Sequence, residues 1–393
     1  MYKRIDVFII GSKGIPAQYG GFETFVENLT KGRKDKCIHY HVSCMGDEEK
    51  KYFHNGAECF TVKVPLSGAK GRIMHVSLAL SYVEKWCDRN PNNNVIVYVL
   101  GCRIGPLMKF HSKRLHQYGA IVLCNPDGLE WKRDKWNRAE KKFLKLCEAS
   151  LVKNADLAVC DSVSIEDYIK KEYRTKAKNT TYIAYGSEVT PSSCSDDEFM
   201  AWAKQYGITK NQYYLIVGRF VPENNYETMI REFMMTNSNK DLVIITNVEK
   251  NDFYNSLMKN TQFDKDKRVK FVGTVYDREL LSKIRENAYG YFHGHEVGGT
   301  NPSLLEAMAS TDLNLLYDIG FNREVGGDTT LYWKKEKHSL SRLIQYCDNE
   351  LDEKQRFVLG DKAKQRIKEY YSWEYICKQY ESLFENVTFS LNE

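Results

Sequence analysis

Proline is scarce in this chain, at 8 of 393 residues, too few for long Pro-rich linkers. There are 11 cysteines but no Cys-x-x-Cys pair. An odd, unpatterned set argues against a disulfide framework and against zinc, and suits the reduced thiols of a cytosolic protein. Long apolar runs are missing as well. Stretches such as Asn94–Leu100 are strand-sized and fall well short of the ~20 residues of a membrane-spanning helix. Neither G-x-G-x-x-G nor G-x-x-x-x-G-K-[ST] occurs, which removes weight from NAD and ATP phosphate loops. No repeat at solenoid periods and no low-complexity segment is found. The first ten residues carry an acidic break at Asp6 and no signal-type cleavage site, and read as a strand of the mature protein. A formal net charge of +5 is too small by itself to imply a nucleic-acid partner.

With 42% hydrophobic and 28% charged residues, the composition is that of a globular chain long enough for two domains. Strand-like and helix-like stretches alternate. The first series runs through 6–10, 95–100, 120–123 and 155–159, with helical spacing over 22–29, 138–151 and 164–171. A second begins near 212 with 213–217, 242–246, 269–272, 289–293 and 313–317. Such alternation predicts parallel sheets covered on both faces, hence α/β architecture with two Rossmann-like, doubly wound domains. Residues 1–186 form the expected first domain and 187–370 the second, with 371–393 as a closing helix. Ligands of such sheets sit at the carboxyl ends of the strands, here in a cleft between the domains.

Charge is uneven. Residues 1–185 carry a net +11 and the remainder a net −6. Within the first half, Trp131, Lys132, Arg133, Lys135 and Trp136 interleave basic and aromatic side chains. This pattern suits an anionic membrane surface or a phosphorylated lipid, and equally a solvated face.

Five segments follow strands and carry the candidate chemistry. Gly11-Ser-Lys-Gly-Ile-Pro-Ala-Gln-Tyr-Gly-Gly-Phe-Glu-Thr-Phe25 leads from a strand into a helix. Gly20 and Gly21 can let backbone approach a phosphate there, or simply form a tight turn. Asn125-Pro-Asp-Gly128 places Asp127 where a sugar hydroxyl can be met, though the same residues favour a plain turn. Asp161 follows another strand, where it or Ser162 can cap the next helix. Tyr185 sits near the expected hinge and can line the cleft. Arg219 after Gly218 suits a diphosphate. The segment 293–309 is the most informative. His293, His295, Glu296, Gly299 and Thr300 precede Asn301-Pro302, a helix start with capping chemistry and exposed N–H groups that suit an anion. Glu306, one turn on, can accept from ribose hydroxyls or lie in solvent.

On these residues the chain resembles the GT-B-fold retaining glycosyltransferases of family 4. Within them it is similar to the bacterial rhamnosyltransferases of capsule and cell-wall polysaccharide assembly. The matching segments are Ile10–Phe25, Asn125–Trp131, Gly298–Glu306 and Tyr371-Ser-Trp-Glu374. The last of these lies where the final helix of that fold crosses back to the first domain. The resemblance implies that Gly20 and Gly21 border a donor diphosphate, Arg219 holds it, Thr300 and Asn301 line the sugar–phosphate loop, and Glu306 binds the ribose. It implies a dTDP-β-L-rhamnose donor and a hexose on undecaprenyl diphosphate as acceptor; a retaining transferase using a UDP-hexose, a nucleotide-sugar epimerase of the same fold and a non-catalytic sugar-binding or scaffold protein are the alternatives. It further implies a β-1,4 linkage made with retention and without a metal, by a protein peripheral at the inner face of the plasma membrane. Asp127, Asp161 and Glu296 are the catalytic candidates. In such retaining enzymes the donor phosphate can itself take the acceptor proton, which leaves Asp127 to position the acceptor. Two departures stand out. Asn224 replaces the family lysine that follows the arginine, and Gly298 replaces the first glutamate of the Glu-x7-Glu motif. Glu296, His295 and His293 are the candidates to substitute for that glutamate.

Overall fold

The computed structural model describes residues 4–389 except 19, 67, 175 and 176. The chain divides into two compact units, one comprising the residues up to Gly186 together with those from Trp373 onward, the other Ser187–Ser372.

The first unit comprises β1 (Ile5–Ile10), α1 (Gly21–Lys31), β2 (Ile38–Gly46), β3 (Lys51–His54), β4 (Ala57–Lys63), α2 (Gly68–Arg89) and β5 (Asn94–Leu100). It continues with α3 (Met108–Gln117), β6 (Ile121–Asn125), α4 (Arg138–Asn154), β7 (Leu157–Cys160), α5 (Val163–Glu172) and β8 (Thr180–Tyr182). The sheet order is β3-β4-β2-β1-β5-β6-β7-β8. All neighbours are parallel except β3 and β4. That antiparallel edge corrects the expectation of a wholly parallel sheet. It is built on Asn55-Gly56, both at positive φ, which is the dipeptide a tight hairpin demands. Strands β2 to β4 were not expected from sequence. His39 and His41 interrupt the apolar run of β2, yet His41 is buried, its ring stacked on Phe8 at 4.4 Å and bonded to the Asp6 carboxylate at 2.8 Å.

The second unit begins with α6 (Asp196–Gln205), β9 (Tyr213–Val217), α7 (Tyr226–Met234), β10 (Asp241–Ile245), α8 (Asp252–Thr261), β11 (Val269–Gly273), α9 (Arg278–Glu286) and β12 (Gly290–His293). Then come α10 (Pro302–Ser310), β13 (Asn314–Tyr317), α11 (Gly320–Gly326), β14 (Leu331–Trp333), α12 (Ser339–Asn349) and α13 (Glu353–Tyr370). Its sheet is ordered β11-β10-β9-β12-β13-β14, and every pairing is parallel. The edge strand β14 also went unread in the sequence, being three residues long.

Both sheets are doubly wound. In each, the chain steps outward from one strand and later returns on that strand's other side, between β1 and β5 and between β9 and β12. The loops leaving those strands therefore diverge, and a crevice opens at their carboxyl ends. Helix α14 (Trp373–Phe389) belongs to the first unit. Its Tyr380 packs on Phe25 of α1 at 5.1 Å and its hydroxyl meets that of Tyr98 in β5 at 3.1 Å. Gly186 is needed at the point of return, because a β-carbon there would lie 2.5 Å from the Trp373 indole.

Candidate active site

In the first unit three strand ends converge. At the end of β1, Gly11 and Gly14 have φ of +114° and +112°. A β-carbon on Gly11 would stand 2.3 Å from the Leu100 carbonyl oxygen, and one on Gly14 would stand 2.5 Å from Cys44 Sγ. These glycines press the loop onto β5 and β2. Gly20, also at positive φ, precedes α1, which begins at Gly21. The Glu23 carboxylate folds back over Gly20 and accepts the Lys13 backbone N–H at 2.7 Å. An anionic side chain thus already lies at this helix start. Tyr19, within the same segment, lies outside the described residues.

After β6, Asp127 has φ +62°, so the Asn-Pro-Asp-Gly segment is a turn as well as a strand-end position. Its N–H donates to Asn125 Oδ1 and its own Oδ1 accepts from the Gly128 N–H, each at 2.8 Å. Asp127 lines a narrow pocket with Cys102, Arg103, Glu130, Trp131 and Glu148. After β7, Ser162 rather than Asp161 caps α5, accepting from the Ile165 N–H at 3.1 Å, and Asp161 is buried beside it. Tyr185 is buried and packs on Phe25. Burial, then the fields of Asp161 and Asp127, push its hydroxyl well above the usual tyrosine range. The structure therefore brings Asp127, Asp161 and Tyr185 together.

The loop at 130–136 differs from its sequence reading as a basic, aromatic surface. The Glu130 carboxylate gathers Arg133 at 2.6 Å, Lys135 at 2.7 Å and the Trp136 indole N–H at 3.2 Å. Burial raises the Glu130 carboxyl, but Arg133 and Lys135 outweigh it and hold the group below its ordinary range. Arg133 faces inward, and Trp131 lies half-buried under Lys145, 4.2 Å from its ring centre. Of the five residues, Lys132 and Lys135 stay exposed.

In the second unit the ends of β9 and β12 are tied to the start of α10. The Val217 carbonyl accepts from Ser303 Oγ at 3.1 Å and from the Tyr291 hydroxyl at 3.2 Å. Asn301 caps α10, its Oδ1 accepting the Ser303 N–H at 2.9 Å. Pro302 brings no N–H and those of Ser303, Leu304 and Leu305 already go to Asn301, so this helix start offers the adjoining 293–300 loop, in which Gly299 and Thr300 are buried, the positive end of its dipole. Arg219 is exposed just beyond Gly218. Asn224 is buried and donates to the Arg219 carbonyl at 2.8 Å, so it shapes the arginine's turn.

His293 and His295 stack at 4.4 Å. Burial, then the neighbouring His295, hold His293 well below the ordinary histidine pKa, so its ring is neutral. Glu296 pairs with Lys335 and stands 3.5 Å from Asn225 Nδ2. Glu306 is half-exposed and meets the buried Arg285 guanidinium at 2.6 Å. Sequence reasoning missed Arg285. It comes from α9, and only its position inside an amphipathic helix, five residues before β12, hinted at burial.

Residues 4–188 match a family model described as a domain of unknown function (DUF1972). No curated protein matches the chain. Solved structures do. Sucrose-phosphate synthase from Thermosynechococcus elongatus superposes with a TM-score of 0.75 at 14% identity, over 99% of this chain and 100% of that one. A glycosyltransferase from Rickettsia africae gives 0.72 at 12% identity, over 98% and 99%. Anabaena HepE in complex with UDP gives 0.69 at 14%, over 98% and 100%. The chain has the GT-B fold.

Proposed function

We propose that the protein is a retaining glycosyltransferase that moves L-rhamnose from dTDP-β-L-rhamnose to a hexose carried on undecaprenyl diphosphate. The product would be a β-1,4 linkage in capsule or cell-wall polysaccharide. The observation that carries the transferase reading is the second unit's strand-end cluster. A capped helix start, an exposed arginine and a half-exposed carboxylate lie on loops of β9, β12 and α10. That set matches the parts of a nucleoside diphosphate sugar, with donors for the diphosphate and an acceptor for the ribose. The fold shared with HepE in complex with UDP supports the same class. The rhamnose donor, the lipid acceptor and the linkage rest on the resemblance of residues 10–25, 125–131 and 298–306 to the rhamnosyltransferases.

As the sugar leaves, negative charge builds on the diphosphate. Arg219 and the positive end of the α10 dipole would meet that charge where it develops. Glu306, held by Arg285, takes the ribose hydroxyls. In the retaining reaction the donor phosphate receives the acceptor's proton, and Asp127 and Asp161 position the acceptor hydroxyl. No step of this proposal calls on a metal. A membrane-borne acceptor places the protein at the inner face of the plasma membrane. No helix among the described residues is long and apolar enough to cross a membrane.

The test is turnover. Purified protein is incubated with dTDP-rhamnose, UDP-glucose, UDP-galactose or UDP-GlcNAc and a lipid-linked glucose or GlcNAc, and products are weighed by mass spectrometry. A gain of one deoxyhexose from dTDP-rhamnose alone is the expected result. A hexose gain from a UDP donor would discard rhamnose, and donor binding without any transfer would discard the transferase reading.

A further inference from the structure

Helices α2, α3 and α4 cover one face of the first sheet. Val76, Leu80, Met108, Leu115, Cys147 and Leu151 join one core with β1, β5 and β6. The inward side of α3 is locked. His111 Nδ1 meets Glu84 of α2 at 2.7 Å and its Nε2 meets Ser77 Oγ at 3.0 Å. Ser112 Oγ donates to the Asn154 carbonyl at the end of α4 at 2.5 Å. This fixes which residues point outward.

Those outward residues include bulky apolar side chains. Leu107 and Phe110 are 47% and 57% exposed at the start of α3, and Phe143 and Leu146 are 47% and 64% exposed on α4. Phe110 shares its face of α3 with Lys113 and Arg114, at i+3 and i+4. Leu146 shares its face of α4 with Phe143 at i−3 and Lys142 at i−4. Helix α3 contains three cations, two histidines and no acid. Lys109, Lys113 and Lys142 enter no ion pair among the described residues, while Arg114 reaches Glu84 at 3.1 Å.

We infer that this face, the outer side of α3 with the first half of α4, docks the first unit on an anionic lipid bilayer. Phenylalanine and leucine side chains enter the boundary between headgroups and acyl chains, while the lysines keep their ammonium groups among lipid phosphates. A second copy of the chain fits poorly, because two such faces would set lysine against lysine with no acid from α3 between them. The inference rests on the reading of a membrane-borne acceptor and gives that reading a surface. It also moves the contact from the 130–136 loop, whose Arg133 is spent on Glu130, to the neighbouring helices.

The probe is vesicle co-sedimentation without donor or acceptor, so that docking and catalysis fail separately. Wild-type protein should pellet with phosphatidylglycerol–phosphatidylcholine vesicles, less with pure phosphatidylcholine, and less at high salt. Phe110→Ser with Leu146→Ser should weaken binding at least tenfold, and Lys109→Gln and Lys113→Gln about fivefold each. Circular dichroism melts should match wild type, because all four side chains are exposed. Wild-type protein left in the supernatant would overturn the inference. So would undiminished binding by the double serine variant, or loss of binding through Lys132→Glu alone. A wild-type dimer that the serine variant splits would assign the face to a second copy instead.

Discussion

His75 offers a sharp test of how the glycine-rich loop is held. It lies in α2, 1% exposed, with Nε2 buried and unpartnered. Burial lowers its pKa to about 4, opposed by a hydrogen bond to the Cys44 backbone. Cys44 in turn fills the space beside Gly14. In the unfolded chain the imidazole titrates near 6.5. Between those values the unfolded state binds a proton that the folded state refuses, so stability falls as pH falls. Each pKa unit is about 1.36 kcal/mol, so a shift of this size is worth about 3 kcal/mol, intact above pH 6.5 and spent by about pH 4. Asp6, Glu130 and Asp156 are also held low in the fold, so they cost stability in acid too, but they titrate lower and act equally in a variant. Urea unfolding of wild type and His75→Gln at pH 7.5, 6.5, 5.5 and 4.5 isolates the histidine. Whatever constant cost the glutamine brings, wild type should lose about 2–3 kcal/mol more than the variant across the series. Parallel pH slopes would refute the argument, and a steeper slope in the variant would reverse it.

Arg219→Ala should lower turnover by about 10²–10³-fold, the cost of removing one preorganised donor. Its melting temperature should stay within a degree or so, because the side chain is exposed. Arg285→Leu should raise the donor KM while leaving kcat nearly unchanged. Its double-mutant cycle with Glu306→Gln should show a coupling of about 1 kcal/mol, since Glu306 is 45% exposed and water screens the pair. Gly14→Ala should cost about 2–4 kcal/mol, because φ is +112° and the new methyl would meet Cys44 Sγ. Thermal melts of the first unit's transition would check it.

Five strands of the second unit are readable from the chain alone. Segments such as Tyr-Tyr-Leu-Ile-Val and Asp-Leu-Val-Ile-Ile are buried on both faces, so hydrophobicity alone marks them. The strand β2 is not readable in that way, because His41 is buried only by virtue of Asp6 and Phe8, some 35 residues earlier. The hairpin of β3 and β4 carried a signal in Asn55-Gly56, but β3 is four residues long and buries none of them, so no apolar pattern marks it. In the candidate site the start of α10 is legible, because Asn301-Pro302 is a local cap. The pairing of Arg285 with Glu306, and the inward turn of Arg133, are not. Where a long charged side chain points depends on partners that other parts of the fold supply.

That dependence also explains one of the two departures from the family pattern. Asn224 does not stand as a weak lysine facing a ligand. Buried at 4% exposure and bonded to the Arg219 carbonyl, it is part of the arginine's mounting. Nor does His293 supply a cation, because burial keeps it neutral beneath its stacking partner. Lys335 is committed to Glu296. In the proposed reaction the loops of β9 and β12 therefore set Arg219 and the α10 helix start, worth roughly half a charge, against a diphosphate. A clamp with two lysine-like cations would share the leaving-group charge. Here a single side chain carries the larger part, which is why removal of Arg219 should affect turnover far more than a change at Asn224 that preserves its hydrogen bond.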